Sequence, residues 1–245
     1  MISNGILDAA KVGLTMSAVS IAYAFSKFIM GSVSDRSDSR KFLVVGLVLS
    51  ALTMIAVGVI PFGANTALNT AVIFALMLIV GWLSGFGWPP CGRIMAHWFS
   101  QNERSFKMSV WNVSHTVGSF SLGFLAIAGV SLFTFFAPTF GLDASEAWRG
   151  NFIFPAVIAL VIAAFCWWAI RDTPESCGLP SVQEWRNDYS GVKGKGKTGE
   201  KLPFKVLFVD YVLKNKLLWI VALSNIFVYM VRYGIGDWAP TFLSN

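Results

Sequence analysis

Charged residues are scarce in this chain of 245 residues, where they make up 13% of the sequence. An average soluble domain contains about 25% charged residues, so the composition excludes an ordinary soluble protein. Acidic side chains are the scarcer kind, with 13 Asp and Glu against 19 Lys and Arg. The net charge of +6 therefore has to be explained by where the basic residues lie.

Cysteine and histidine are also rare, with 3 and 2 copies in the chain. Cys91, Cys166 and Cys177 are an odd number of widely spaced thiols, which argues against a disulfide framework and against a zinc site. The sequence also lacks a recognisable pair of nucleophile and base, and a glycine-rich phosphate loop. These absences predict three free thiols in a protein that is not an enzyme and that binds no metal or cofactor.

Long apolar runs are abundant, since 55% of the residues are hydrophobic. A helix needs about 20 apolar residues to cross the hydrocarbon core of a bilayer. Six runs have roughly this length, at residues 12–33, 42–61, 69–92, 107–135, 152–170 and 216–243. The runs are continuous rather than alternating, and lipid offers no partners to backbone polar groups, so each run predicts a helix. The predicted fold class is all-α, a polytopic membrane helix bundle with six transmembrane helices.

The basic residues indicate how these helices cross the membrane, because cytoplasmic loops are enriched in Lys and Arg. Of the 19 basic residues, Lys11 and Arg149 fall on one side of the membrane. Lys27 and Arg232 fall within spans, and the remaining 15 share the other side. That side is predicted to be cytoplasmic, in a multi-pass protein of the bacterial inner membrane that binds no nucleic acid. Both ends of the chain then face outward, which suggests a piece of a longer protein.

A polar segment divides the chain into two parts. It contains "GVKGKGKTGEK", in which Gly and Lys alternate almost without apolar residues, a composition typical of a flexible linker. We predict an N-terminal bundle over residues 1–170, a cytoplasmic linker over 171–215, and the first helix of a second bundle over 216–245.

The third span carries two marks of a closely packed and bent helix. Gly81 and Gly85 lie four residues apart, so one face is nearly bare and another helix can approach it closely. Pro89 and Pro90 remove two backbone donors, which predicts a kink or a loosening near Trp88. Two interpretations remain open: a kink that serves packing, and a bend that lines a central cavity.

Three ionisable side chains, Lys27, His115 and Arg232, lie well inside predicted spans. A charge at the bilayer centre costs at least about 2.5 kcal/mol, so such residues usually face a partner or a water-filled cavity. The acidic residues lie almost wholly in loops. Asp237 is the exception, but it follows Arg232 by five residues and so lies about 140° round the helix, on another face. Buried positive charge without buried negative charge predicts a site for an anionic ligand.

Each of these cations shares its helix face with polar or aromatic neighbours three, four or seven residues away. The neighbours are Tyr23 beside Lys27, Trp111 and Asn112 beside His115, and Tyr229 and Asn225 beside Arg232. Other interpretations stay open for each cation alone. Lys27 could extend to the membrane interface, His115 could be a hydrogen-bonded structural residue, and Arg232 could form a fixed ion pair between helices. The three together favour a pocket for a small polar anion.

The segment "GSVSDRSDSRK" resembles the loop signature of the major facilitator superfamily, with matches at Gly31, Asp35, Arg36 and Arg40. The glycine usually found before the second arginine is absent, and the spacing differs. Six further segments together resemble the organophosphate:phosphate antiporter family over essentially the whole chain. They are "SIAYAFSKFIMGSVSDR", "GWPPCGRIMAHWFSQNER", "VWNVSHTVG", "RDTPESCGLP", "YVLKNKLLW" and "VYMVRYGIGDWAPTFL". The resemblance implies a partial superfamily fold that contains family helices two to seven and lacks helix one and helices eight to twelve.

This resemblance implies a secondary active transporter that imports glycerol 3-phosphate in exchange for inorganic phosphate by alternating access. Two central arginines bind the phosphate group in the family, and Arg232 matches the one on helix seven. Further positions around the family's site are matched by Lys27, Trp88, Trp111, Asn112, His115 and Tyr229.

The resemblance also implies that Asp35, Arg36 and Arg40 bridge helices on the cytoplasmic side and lock the outward-facing state. The expected partners are glycerol 3-phosphate, inorganic phosphate and the lipid bilayer, and the full-length protein is expected to be a monomer. Two alternatives remain. One is an antiporter for hexose 6-phosphate or another sugar phosphate, and the other is a membrane sensor that binds a phosphate ester without transport.

Overall fold

The computed structural model describes residues 9–187, 206, 209 and 212–243, and it divides into two units, Met1–Lys193 and Gly194–Asn245. Every long element in the described ranges is a helix, as the sequence predicted. The first unit holds α1 (Ala9–Ser34), α2 (Ser39–Val59), α3 (Thr66–Ser84), α4 (Trp88–Trp98), α5 (Gln101–Phe136), α6 (Gly150–Ala169) and the short α7 (Val182–Arg186). The second unit holds α8 (Lys216–Leu243). Short 3-10 turns lie at Ala137–Phe140, Ala144–Arg149 and Glu175–Cys177.

Five stretches of the described chain are long and apolar enough to cross a membrane, and they overlap the first five predicted spans. They are Lys11–Ser34, Ser39–Val59, Thr66–Trp98, Gln101–Thr139 and Ser145–Ala169. The sixth predicted span coincides with α8, a helix of 28 residues and therefore about 42 Å long. Within the described residues, the apolar part of α8 is Lys216–Val231, which is shorter than the five stretches above.

The third span is broken in the place where the sequence predicted a kink. The helix α3 ends at Ser84, residues 85–87 form a turn, and α4 starts at Trp88 with Pro89 and Pro90 in its first turn. Proline fits there because the first backbone N–H groups of a helix have no partner within the helix. The span extends to Trp98, beyond the predicted end at residue 92, because α4 continues to the short loop before α5.

Glycine lets the helices of the first unit approach backbone to backbone. The helix α1 packs on α3, and a methyl group added at Gly81 would overlap the carbonyl oxygen of Val19. One turn later, a methyl group at Gly85 would overlap the Ser26 hydroxyl, which donates a hydrogen bond to the Trp82 carbonyl. The predicted close approach at the glycine pair is therefore confirmed, and its partner is α1.

A buried arginine joins α2 to α6 at the opposite end of the unit. Arg149 is 7% exposed, and its Nη1 donates to the carbonyls of Gly58 at 2.7 Å and Ile60 at 2.8 Å. Its other nitrogens donate to both carboxylate oxygens of Glu146, at 3.0 and 3.1 Å. Arg149 therefore satisfies carbonyls at the C-terminus of α2, where helical backbone partners run out. Sequence reasoning counted it only as an outside loop charge.

The turn that carries Arg149 has its own cap. The Asp143 carboxylate accepts a hydrogen bond from the backbone N–H of Ser145 at 2.8 Å, at the start of the 3-10 turn Ala144–Arg149. This bond lowers the pKa of Asp143 below its usual range, because it favours the ionised form. Because the pKa of Asp143 is lowered in the folded protein, the stabilisation by this cap is fully present above the ordinary carboxyl pKa. It is lost as the pH falls through the lowered pKa.

Candidate functional site

Four side chains from three helices of the first unit form one cluster, which we call the Lys27 cluster: Tyr23, Lys27, Trp88 and Trp111. The Lys27 Nζ lies 4.6 Å from the centre of the Tyr23 ring and 5.5 Å from the Trp88 ring. Trp88 and Trp111 meet edge to face, with 4.5 Å between ring centres and 87° between ring planes. All four residues belong to the site that the sequence predicted.

Local structure explains why these residues meet. Tyr23 and Lys27 lie four residues apart on α1 and therefore share one face. The bare backbone at Gly85 lies against Ser26 and the backbone nitrogen of Lys27, so α3 ends beside Lys27. The turn over residues 85–87 then places Trp88 at the start of α4, next to α1. The break in the third span thus brings an aromatic ring to the lysine.

The ammonium group of Lys27 has no acidic partner in the described part of the chain, where its contacts are the two aromatic rings. A cation over a ring face is attracted by the negative electrostatic potential of the ring, by about 0.5–1 kcal/mol at an exposed site. The Lys27 side chain is exposed in this structure, so its remaining N–H groups are accessible to a ligand. The cluster offers positive charge that is not neutralised.

His115 and Asn112 lie on α5 within one turn of Trp111, and both are exposed. Within the described residues, neither side chain forms a hydrogen bond, an ion pair or a ring contact, although the His115 backbone carbonyl accepts a hydrogen bond from the Ser119 hydroxyl at 2.9 Å. The structure therefore does not join them to the Lys27 cluster by an interaction of these kinds. Their part in a binding site stays a prediction.

The remaining predicted binding residues belong to α8, in the second unit. Tyr229 is 40% exposed on this helix. The side chains of Arg232 and Asp237 lie outside the described residues, although the backbone of both is helical. The predicted role of Arg232 therefore stays a prediction.

Three residues near the loop between α1 and α2 were predicted to gate the cytoplasmic side. Asp35 and Arg36 are exposed and form no ion pair within the described ranges. The Arg40 guanidinium lies 4.3 Å from the ring centre of Trp167 on α6, and its buried Nε has no hydrogen-bond partner among the described residues. Their gating role is not tested by these contacts and stays a prediction.

A different pair of residues, Arg93 and Asp172, holds this loop, and we call it the Arg93–Asp172 clamp. Arg93 on α4 donates to the carbonyls of Ser34 at 3.0 Å, Asp35 at 3.4 Å and Ser37. It also donates to the Asp172 carboxylate at 3.2 Å. The other oxygen of Asp172 accepts from the backbone N–H of Ser39 at 2.8 Å, at the start of α2. The clamp thus ties α4, the α1–α2 loop and the end of α6 together.

Both clamp residues lie within segments that resemble the family, but the sequence alone gives them no role. Its pattern predicts a loop charge at Arg93 and the beginning of the linker near Asp172. The one available signal was an arginine directly after "WPPCG" together with an aspartate directly after the fifth span.

The segment around and after Asp172, residues 171–187, lies against the C-terminal end of α4 and the N-terminal end of α5. The Trp98 Nε1 donates to the Arg171 carbonyl at 3.2 Å, and Arg186 pairs with Glu103 at 2.9 Å. Between these contacts lies an apolar pocket of about 360 Å³, lined by Trp98, Pro174, Leu179, Pro180, Val182 and Trp185. The first part of the predicted linker is therefore folded onto the first unit, while residues 188–205 lie outside the described residues. The predicted domain boundaries stay predictions.

Known proteins resemble this chain over its whole length. It is 47% identical over 234 residues to the glycerol-3-phosphate transporter of Bacillus subtilis, covering 96% of this chain and 49% of the relative. It is 40% identical over 246 residues to the glycerol-3-phosphate transporter of Haemophilus influenzae, covering 100% of this chain and 50% of the relative.

More distant relatives have other names. A Chlamydia trachomatis protein named "Probable hexose phosphate transport protein" is 32% identical over 96% of this chain and 49% of its own length. The membrane sensor protein UhpC of Escherichia coli is 31% identical over 100% of this chain and 51% of its own length. The chain thus spans about half the length of the curated relatives that it matches.

Fold and family follow from two further matches. A crystal structure of a bacterial homologue of the human lysosomal transporter Spinster, inward-facing and unoccupied, superposes with a TM-score of 0.68 at 20% identity, over 99% of this chain and 49% of that one. This likeness confirms a partial fold of the same kind. Together with its apolar helices, the bacterial relatives confirm a multi-pass protein of the bacterial inner membrane. The family model of the Major Facilitator Superfamily matches residues 4–245, so the chain belongs to that superfamily.

Proposed function

We propose that this chain forms part of a secondary active transporter that imports glycerol 3-phosphate in exchange for inorganic phosphate by alternating access. The observation that carries the proposal is the Lys27 ammonium, which contacts two aromatic rings and no carboxylate of the described chain. An uncompensated cation in a membrane helix calls for an anionic partner. The names of the two relatives at 40–47% identity supply the identity of that anion.

In this proposal the phosphate group binds to the three intramembrane cations Lys27, His115 and Arg232. An arginine offers a planar fork of donors that matches two phosphate oxygens, whereas a lysine acts as a compact point charge. The polar and aromatic neighbours of these cations complete the pocket: Tyr23, Trp88, Trp111, Asn112 and Tyr229. No covalent step is involved, so the protein acts as a carrier and not as an enzyme.

Alternating access in this proposal means that the bundle of residues 1–170 rocks against a second bundle that begins at residue 216. The linker 171–215 connects the two halves, and Asp35, Arg36 and Arg40 bridge helices on the cytoplasmic side and lock the outward-facing state. The exposure of Asp35 and Arg36 supports this proposal, because it leaves both side chains available for such a bridge. The full-length protein is proposed to work as a monomer.

Two other functions are favoured by particular relatives. The relative named for hexose phosphate transport favours a sugar-phosphate antiporter, and the membrane sensor favours phosphate-ester recognition without transport. Both would use the same cations, so the Lys27 cluster alone does not distinguish them.

Reconstitution of the full-length protein in vesicles loaded with phosphate tests the proposal. We expect uptake of labelled glycerol 3-phosphate that requires internal phosphate. Preference for hexose 6-phosphate would favour the first alternative, and binding without flux the second.

Arg232→Ala is expected to abolish exchange, because it removes the phosphate fork. Lys41→Ala provides the control, because Lys41 is an exposed cation that meets Asp38 only at 4.0 Å. Exchange at the normal rate by Arg232→Ala would contradict the assigned site.

A further inference from the structure

We propose that Trp88 is a positioning residue that holds the Lys27 ammonium in place for an incoming phosphate group through a cation–π contact. This inference rests on the proposed function, because it assumes that Lys27 binds the phosphate of the substrate. Its basis is the distance of 5.5 Å between the Lys27 Nζ and the centre of the Trp88 ring.

Trp88 and Tyr23 restrict the Lys27 ammonium in different ways. Tyr23 stands on the same helix as Lys27 and shares its movements, so it restricts only the rotamers of the lysine. Trp88 comes from α4 and therefore fixes the ammonium relative to a second element of the bundle. The contact with Trp88 thus sets where the positive charge stands between helices.

The Trp88 ring is itself held in place. Its backbone lies in the first turn of α4, directly before Pro89 and Pro90, where the proline rings restrict the chain. Trp111 of α5 packs against it edge to face, with 4.5 Å between ring centres. The charge of Lys27 therefore stands on a surface that three helices build together.

An aromatic ring suits this role better than a carboxylate. The ring attracts the ammonium but has no negative charge and no strong hydrogen-bond acceptor, so it does not compete with a phosphate for the N–H groups of the lysine. A long side chain that is already ordered loses less entropy when the ligand arrives. The cluster thus orders the flexible Lys27 side chain before phosphate binds, without neutralising its charge.

The test weakens the ring electrostatically while keeping its shape. Tryptophan carrying one, two or three fluorine atoms is placed at position 88 of the full-length protein in vesicles, and the dissociation constant of inorganic phosphate is measured. Each added fluorine lowers the attraction of the ring for a cation. We expect phosphate affinity to fall stepwise, by about three- to fivefold over the series, which corresponds to about 0.6–1 kcal/mol.

Two controls separate positioning from packing. The same series at Trp168, which is 73% exposed on α6, is expected to leave phosphate affinity unchanged. In a Lys27→Gln background the series at position 88 is expected to have no effect, because the cation is gone. Trp88→Leu, which keeps an apolar side chain and removes the ring, is expected to bind phosphate no more tightly than the trifluorinated protein.

The outcomes distinguish this inference from the proposed function. If the unmodified protein neither binds phosphate nor exchanges phosphate esters, the proposed function fails. If it exchanges normally and the fluorine series at position 88 is flat, or is equally steep without Lys27, the inference alone is overturned.

Discussion

Arg93 of α4 and Asp172 at the end of α6 meet at 3.2 Å, and each is also bound to the chain that joins α1 to α2. Both side chains are largely shielded, with 20% and 17% of their surface exposed. Carbonyls at the end of α1 and an N–H at the start of α2 thus find charged partners from α4 and from the segment that follows α6. The pair holds these parts of the first unit around a single loop.

Arg93→Gln is expected to destabilise the protein, because it leaves the Asp172 carboxylate and three backbone carbonyls without their charged donor. Removing one member of a shielded ion pair costs about 3 kcal/mol. A clear fall of the apparent melting temperature in detergent would report the loss. Lys41→Ala removes an exposed cation from the same corner and should leave the melting temperature within error. Equal melting temperatures for the two variants would contradict the clamp.

Gly81→Ala is expected to destabilise the packing of α1 on α3, because the added methyl group overlaps the Val19 carbonyl and lies 2.8 Å from the Val19 Cα. Gly92→Ala is the matched control, since a methyl group there meets no atom within 4 Å. In a helix, alanine is favoured over glycine by about 1 kcal/mol. The two substitutions should therefore change the melting temperature in opposite directions. Stabilisation by Gly81→Ala would show that the close approach is absent.

Arg149→Gln is expected to be among the most destabilising single changes in the first unit. It leaves two carbonyls at the end of α2 and the Glu146 carboxylate without their shared donor, in a site where Arg149 is 7% exposed. Loss of one partner in such a buried network costs about 3–5 kcal/mol. Glu146→Gln should lower the free energy of unfolding by clearly less, because the Glu146 side chain is 37% exposed. Denaturation of the purified protein by a graded detergent series measures both, and the reverse order would contradict the buried role of Arg149.

The membrane helices could be predicted because the residues that cause them can be read directly from the sequence. About twenty apolar side chains in a row fit a bilayer, and two prolines after a glycine pair predict where a helix breaks and packs. Lys27 and Tyr23 were also predictable neighbours, since they lie four residues apart on one helix. The contact of Trp88 with Lys27 and Trp111 depended on the course of the turn at residues 85–87, which composition does not specify.

The Arg93–Asp172 clamp and the Arg149 network could not be predicted for a common reason. Both arginines donate mainly to backbone carbonyls at helix ends, at Ser34, Ser37, Gly58 and Ile60. Every residue has a backbone carbonyl, so the sequence does not show which residue accepts the hydrogen bond. Sequence separation adds to the difficulty, because each arginine reaches a helix end between 56 and 91 residues away.

The helix α4 connects the candidate binding site to the Arg93–Asp172 clamp, since Trp88 is its first residue and Arg93 follows five positions later. Because both residues belong to one helix of 11 residues, a shift of Arg93 is expected to move Trp88. Asp172→Asn weakens the hold on Arg93 and so should loosen the position of Trp88 against Lys27. We expect the affinity for phosphate to fall about twofold to fivefold, within the usual range of coupling between distant sites.

Glu103→Gln is the control for this coupling, because it weakens the more exposed ion pair with Arg186 at 2.9 Å, and neither of these residues belongs to α4. Phosphate binding by the full-length protein, measured by calorimetry, should separate the two variants. In a double-mutant cycle, Trp88→Leu should remove most of the effect of Asp172→Asn, because both act on the same contact. Additive effects, or equal losses from Asp172→Asn and Glu103→Gln, would mean that α4 does not transmit the state of the clamp to the site.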